Sequence, residues 1–262
     1  MPSVSTGIDL DEDEGLFGPI LAGTSPVAPG GFSGPGEIPG LYWFFNPDTG
    51  LFQTAGGAAA TALNDPVGQA QDQSASLSHA AQLTAANRPL LKPATQNSKN
   101  TILWDGSNDA MEAPLIAHAV GTADFWWIVC VRPGATGPYR LLVSNTQFDP
   151  GFYIDALQLR MFWNPTTYAF NTTLVAGTFY IVELKRTSGV VRAYVNGVQE
   201  ANTHAVATSM ANGAVRIGAD LDGTLSNAHQ GITLLYKATP TTQQRADLIN
   251  WLGAYYAVTV TP

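Results

Sequence analysis

The chain has 262 residues, of which 12% are charged and 10% aromatic, with 26 glycines and 17 prolines; this length can bury one generous core, and this balance of turn formers and bulky strand formers suits an all-β protein better than a helical one. The net charge of −8 is local, because residues 1–40 hold six carboxylates (Asp9, Asp11, Glu12, Asp13, Glu14 and Glu37) and no base, and the first basic residue is Arg88. With no basic patch, nucleic acid is not expected as a partner; with no apolar run near the roughly 20 residues that span a bilayer and no basic start leading into an apolar stretch, membrane insertion and secretion are not expected either, and the reading is of a protein made in a cytoplasm.

Residues 1–40 are rich in Gly and Pro and cannot build a core of their own. They read either as a disordered tail or as an extended arm that docks on a neighbouring subunit. The apolar residues Leu16, Phe17, Ile20 and Leu21 favour the arm, since a solubilising tail has no use for them. From Leu41 the texture changes: LYWFFNPDTGLFQ is dense in aromatics, about 45 polar, Ala-rich residues follow, and ILWDGSNDAMEAP reads as a strand and turn.

Strand candidates then come at short spacing: ADFWWIVCVRP, YRLLVSN, GFYIDA, LQLRMFW, TFYIVELKR, VVRAYVN, AVRIGAD and GITLLYKA. This rhythm signals a sandwich or jelly roll. FWWIVCV is apolar on both faces, as a central strand covered on both sides would be, and its single cysteine, Cys130, reads as a small buried core residue. In TFYIVELKR, Tyr180, Val182 and Leu184 alternate with Ile181, Glu183 and Lys185, which predicts one buried face. VVRAYVNGVQE is a hairpin, since Asn196-Gly197 accepts the positive φ angles of a two-residue turn. The last element, TPTTQQRADLINWLGAYYAV, opens on a Thr-Pro-Thr cap signal and aligns Ala246, Ile249, Leu252, Tyr255 and Tyr256 on one stripe, which predicts a short C-terminal helix.

Four stretches in this order, ILWDGSND (102–109), TFYIVELKRTSGVVRAYVNGVQE (178–200), AVRIGAD (214–220) and GITLLYKATPTTQQRADLINWLGAYY (231–256), resemble the laminin-G-like, concanavalin-A-like jelly-roll domains of extracellular and bacteriophage virion proteins. The likeness runs from about Leu41 to Val258. FNPDTGLFQTAGG, followed by DPVGQAQDQS and ANRPLLK, resembles more particularly the opening of such domains in phage structural proteins. The resemblance implies a two-sheet antiparallel jelly-roll sandwich of about a dozen strands, with members that mostly bind glycans or proteins and only occasionally catalyse; a fold does not by itself transfer a site. The expected organisation is an anchoring arm over residues 1–40 and a jelly-roll domain over residues 41–262.

Glucanase-like members of this fold carry carboxylates alternating on one strand, about 5 Å apart across the glycosidic bond, and no strand here has that pattern. The string Asp9 to Glu14 lies in the arm, where no rigid sheet holds it. His79, His118, His204 and His229 are scattered without metal-ligand spacing, and Asn171-Thr172-Thr173 is a sequon that carries no weight without a secretory route. Asp220, Asp222 and Asn227 in GADLDGTLSN, and Asp105, Asn108 and Asp109 in WDGSND, offer oxygen ligands; calcium wants six to eight, so both read first as Asp-Gly-type turns. In FWNPTTYAF, Trp163 and Tyr168 are candidates for stacking on a sugar ring, against the base tendency of such rings to be core.

The sequence therefore predicts a non-enzymatic bacteriophage virion structural protein, without cofactor or metal: the arm anchors it to other virion proteins, and the outward domain meets a host-surface glycan through Trp163, Tyr168, Asp220, Asp222 and Asn227. It is expected to be a homo-oligomer, a trimer if it forms a tail fibre, and head decoration is equally compatible. The alternatives are a free carbohydrate-binding module or adhesin and, with least support, a glycoside hydrolase.

Overall fold

The computed structural model describes residues 31–116, 123–135, 139–144, 151–163, 165–206, 213–219 and 225–262. In chain order the strands are β1 (Leu41–Phe45), β2 (Leu51–Phe52), β3 (Gln69–Ala70), β4 (Ala80–Ala81), β5 (Leu90–Gln96), β6 (Lys99–Asp105), β7 (Met111–Ile116), β8 (Phe125–Pro133) and β9 (Tyr139–Ser144). There follow β10 (Gly151–Asp155), β11 (Gln158–Trp163), β12 (Thr166–Thr173), β13 (Tyr180–Thr187), β14 (Val190–Val195), β15 (Val198–Ala205), β16 (Gly213–Ile217) and β17 (Asn227–Tyr236), then the helix α1 (Thr242–Tyr256). The molecule is thus mostly β with one short C-terminal helix, as composition predicts.

One sheet runs β15-β14-β13-β8-β17-β6-β5, with β1 also on β17; the other runs β12-β11-β10-β9-β16-β7-β4-β3-β2. The strand pairings within both are antiparallel. The sheets share one core, in which Trp43, Trp104, Trp127 and Leu184 of the first meet Phe152, Met161, Trp163 and Phe170 of the second. A second core covers the other face of the first sheet, where Trp126, Ile128, Cys130, Ile181 and Leu234 pack against Leu248, Ile249, Leu252 and Tyr256 of α1 and against Phe32 and Ile38. Side chains alternate along a strand, so β8 divides its run cleanly: Phe125, Trp127, Val129 and Val131 face the other sheet while Trp126, Ile128 and Cys130 face the helix. Burial raises the Cys130 thiol pKa well above its ordinary value and leaves it inert.

The same three-layer arrangement corrects the expectation of a single buried face on β13. Glu183 is fully buried, because α1 lies over it and Arg245 supplies its counter-charge. A strand covered by a sheet on one side and a helix on the other has no solvent face, and alternation of polar residues along it marks an ion pair instead.

Local signals hold where they are local. Asn196 and Gly197 sit at φ 50° and 85°, and Val195 pairs with Val198 across the turn. Thr241 caps α1 reciprocally with Gln244, Thr241 Oγ1 accepting from Gln244 N–H at 3.1 Å and Gln244 Oε1 from Thr241 N–H at 2.9 Å. At its other end, the β5–β6 turn donates the side-chain amides of Gln96 to Tyr256 O (2.7 Å) and Asn97 to Tyr255 O (2.9 Å), satisfying carbonyls that the helix leaves open. Gly231 sits at a register shift in β17, and a side chain there would meet the Tyr256 hydroxyl at 2.5 Å. That close approach lets Tyr256 Oη accept from Ile232 N–H at 2.7 Å and fixes the helix to the sheet.

Candidate functional site

The residues singled out from sequence do not form one site. Trp163 is 2% exposed; it lies in the core between the sheets, stacked on Phe125 at 6.2 Å with the Arg186 guanidinium 5.0 Å from its ring. It is a core residue and presents no ring for a sugar. Tyr168 is half-buried and packs against His204 at 4.7 Å. Asn227 opens β17 in the other sheet, opposite Asp105, while Asp220 and Asp222 lie outside the described residues, as do Leu16, Phe17, Ile20, Leu21, Asp9 to Glu14 and His118.

WDGSND closes on itself. Asp105 Oδ1 accepts from Ser107 N–H at 2.7 Å, and Asp109 Oδ2 accepts from Asp105 N–H at 3.0 Å. Burial, helped by the neighbouring Asp105, raises the Asp109 pKa to about 6. Of the histidines, His79 Nδ1 accepts from Asp72 N–H at 3.1 Å, His204 Nε2 meets Ala169 O at 3.3 Å, and His229 Nδ1 meets Thr101 Oγ1 at 3.0 Å. Among the described residues, no group of three or more His, Cys, Asp or Glu is placed to hold a metal ion.

A different set of residues lines a cavity of about 550 Å³ beside α1. Trp251 and Tyr255, stacked at 5.0 Å with 30° between the rings and each 4% exposed, lie behind it as part of the helix-side core, and the half-buried Phe44 of β1 lines it. Around it stand Asn46, Asp48 and Thr49 from the turn after β1, Gln73, Lys99 at the head of β6, and Glu37 in a short 3-10 turn, Pro35–Glu37. These segments are far apart in sequence, and each is tied down. Asp48 N–H donates to Asn46 Oδ1 (3.0 Å), Asp48 Oδ1 accepts from Asn100 N–H (2.8 Å), and Asp48 Oδ2 accepts from the Tyr255 hydroxyl and lies 3.8 Å from Lys99 Nζ. Lys99 Nζ also sits 4.1 Å from the centroid of the Tyr255 ring.

Gln73 is held by its backbone N–H on Phe44 O at 2.8 Å and by its amide on Thr49 Oγ1 at 2.8 Å. The adjoining loop is organised by buried Asp72, which accepts from the N–H groups of Phe44, Ser74 and Ser78, each at 2.9 Å. Glu37 accepts from Ser33 N–H at 2.7 Å and from the Ser33 hydroxyl; these bonds lower its pKa and keep it ionised near neutral pH. Burial, then the bond to Asp48 and its charge, raises the pKa of Tyr255, which stays a neutral donor. The cavity therefore joins the half-buried ring of Phe44 to carboxylates, amides and an ammonium, groups that together can hold a small polar ligand.

Sequence reasoning places Tyr255 on the core stripe of the helix and passes over Trp251, Asp48, Lys99 and Glu37. Trp251 flanks that stripe and packs in the helix-side core with Leu248, Leu252 and Tyr255.

No protein-family model matches the chain, and no curated protein does. Solved structures do. The chain is similar to Trypanosoma rangeli sialidase in complex with sialic acid, with TM-score 0.57 and 16% identity over 91% of this chain and 36% of that one. It is similar to domain 4 of AbnA, a GH43 extracellular arabinanase from Geobacillus stearothermophilus in complex with arabinotriose (TM-score 0.57, 12% identity, 80% of this chain and 98% of that one). A GH54 α-L-arabinofuranosidase soaked with a cyclic sulfate inhibitor matches with TM-score 0.56 and 10% identity over 73% of this chain and 51% of that one. The chain spans little more than a third of the sialidase chains.

At these identities the likeness establishes a shared β fold and transfers no chemistry. It nonetheless corrects the functional expectation. The solved structures named here are glycan-cleaving enzymes or a domain of one, and none is a virion protein. The reading as a non-enzymatic bacteriophage structural protein is withdrawn.

Proposed function

We propose that this chain is a glycan-recognising domain of the kind built into glycoside hydrolases, a concanavalin-A-like jelly-roll sandwich that takes carbohydrate into the cavity beside α1. The observation that carries the reading is a cavity in which the half-buried ring of Phe44 meets the side chains of Glu37, Asn46, Gln73 and Lys99. Sugar rings present C–H faces that pack on aromatic rings and rims of hydroxyls that need paired donors and acceptors, and this cavity supplies both. The arabinanase domain supports it, since that structure is almost wholly covered by this chain and holds arabinotriose.

The test is a glycan array probed with the full chain and with Gln73→Ala, at an exposed lining position, alongside a reducing-sugar assay on the same glycans. Binding or turnover that Gln73→Ala weakens is the expected result. An array without a ligand, together with no sugar release, would end the reading.

A further inference from the structure

We infer that a second cavity, at the start of β17 where it pairs with β8, binds the oxyanion of an acidic sugar, a carboxylate or a sulfate, on the guanidinium of Arg132 beside His229; that a sugar bears the anion rests on the glycan reading above. The cavity measures about 410 Å³, and its lining includes Arg132, His229, Leu103, Pro133, Ala176 and Asn227 but no residue of α1. Arg132 stands directly opposite His229 in the β8–β17 ladder, which sets their Cβ atoms about 5 Å apart. It lies two residues beyond Cys130, on the side of the strand that faces the helix further along. The wall is fixed: Gly134 N–H donates to Asn227 O at 3.0 Å and Gly177 N–H to Pro133 O at 2.8 Å. His229 is oriented through Nδ1, which meets Thr101 Oγ1 at 3.0 Å.

Arg132 is the group that calls for a ligand. Several other arginines are held by the fold: Arg88 donates to Gln82 O (3.1 Å) and Leu83 O (3.0 Å), Arg186 to Val206 O (2.6 Å), Arg216 to Glu112 Oε2 (3.0 Å) and Arg245 to Glu183 Oε1 (2.7 Å). Arg132 is half-buried, and among the described residues it has no hydrogen bond or ion pair. Burial lowers its pKa and no carboxylate opposes the shift, yet a guanidinium keeps its charge at neutral pH. The charges that act on the neighbouring His229 are those of Arg132 and Lys92, both positive. A partly desolvated cation without a counter-charge, facing a cavity, is the electrostatic complement of an oxyanion, and its planar fork can give a carboxylate or sulfate two parallel bonds. Leu103, Pro133 and Ala176 offer an apolar wall to the C–H face of a sugar ring, and the Asn227 amide serves its hydroxyls. A neutral sugar would use the wall and the amide but leave the guanidinium without a negative partner.

Chemical-shift titration of the full chain at low salt with glucuronate, glucose 6-sulfate and glucose, and with acetate and inorganic sulfate, tests this, with the His229 ring signals assigned by their loss in His229→Gln. At least one acidic sugar is expected to bind about tenfold or more tightly than glucose, the gain from one charge-assisted pair, and the two acidic arms separate carboxylate from sulfate. A bound anion offsets the positive charges around His229, so the pKa of that ring, about 4 in the free protein, is expected to rise by about one unit at saturation with the acidic sugar and to stay in place with glucose. Arg132→Gln keeps an amide and removes the charge, and it is expected to bring the acidic sugars down to the affinity of glucose; Arg132→Lys keeps the charge without the fork and should retain part of the preference. Glucose binding as tightly as both acidic sugars, an unmoved His229 pKa at saturation, or full affinity in Arg132→Gln would overturn the inference and leave the Gln73→Ala test of the cavity beside α1 standing. Acetate and inorganic sulfate binding as tightly as the sugars that bear those groups would overturn the assignment to a sugar. No binding by any sugar here or on the array would overturn the glycan reading itself.

Discussion

Arg245 in α1 grips Glu183 in β13 with two parallel hydrogen bonds, Nη2 to Oε1 at 2.7 Å and Nε to Oε2 at 2.9 Å, on a carboxylate with no exposure to solvent. The same guanidinium donates to Gly197 O at 2.9 Å and lies 4.0 Å from the Tyr194 ring. One side chain thus joins helix, central strand and the β14–β15 turn. Removing it strands a buried charge, so Arg245→Met is expected to cost about 3–5 kcal/mol in urea unfolding at pH 7. Burial is the largest influence on Glu183 and raises its pKa, with Arg245 and Trp126 opposing it. Without Arg245 the carboxyl is expected to take up a proton more readily, and the variant should recover part of the loss in mild acid. A deficit under 1 kcal/mol at pH 7 would contradict the clamp.

The chain's end rests on that turn. Thr261 N–H donates to Asn196 O at 2.9 Å, and a Cβ on Gly197, at φ 85°, would stand 2.7 Å from the Thr261 carbonyl carbon. Gly197→Ala is therefore expected to destabilise by about 1–3 kcal/mol, from backbone strain plus the clash. Removing residues 260–262 takes away the clash along with the Thr261 bond, so the two changes should combine to less than their sum. Strict additivity in a double-mutant cycle would show that the tail does not touch the turn.

What is legible in sequence divides along the same line of distance. The Asn196-Gly197 turn, the two-faced run in β8 and the Thr241 cap depend on neighbours in the chain, and each is readable. Trp163 is also readable by strand period, since Leu159, Met161 and Trp163 alternate with Arg160 and Phe162 and share the inner face; the aromatic loop-like texture of FWNPTTYAF obscures it. The burial of Glu183 depends on Arg245, 62 residues away, and the cavity draws on segments from Glu37 to Tyr255. Such sites are products of packing, and no spacing within one segment encodes them.

His229 in β17 carries an acid-sensitive contribution. Burial first, then the positive charges of Arg132 and Lys92, lowers its pKa from an ordinary 6.5 to about 4. The folded state holds it neutral while the unfolded chain accepts a proton, so stability present above pH 6.5 is lost as pH falls toward 4. His229→Gln does not titrate, and its stability should fall less than that of the native protein between pH 7 and pH 4.5. Parallel unfolding midpoints across that range would count against the shift.

Asp109 works in the opposite direction over part of the same range. Its pKa rises from an ordinary 3.8 to about 6 because it is buried and faces Asp105, so the folded state binds its proton more tightly than the unfolded chain does. Stability from this group is absent above pH 6, grows as pH falls through 6, and is complete below about 3.8. Asp109→Asn keeps an oxygen for the Asp105 N–H bond and removes the titration. At pH 7.5 the variant is expected to be the more stable of the two, and at pH 4 that advantage should vanish. Comparing native protein, Asp109→Asn and His229→Gln in one set of pH-dependent melts separates the two groups, because acid helps through one and harms through the other. A constant difference between native protein and Asp109→Asn at all pH values would show that Asp109 ionises normally in the fold.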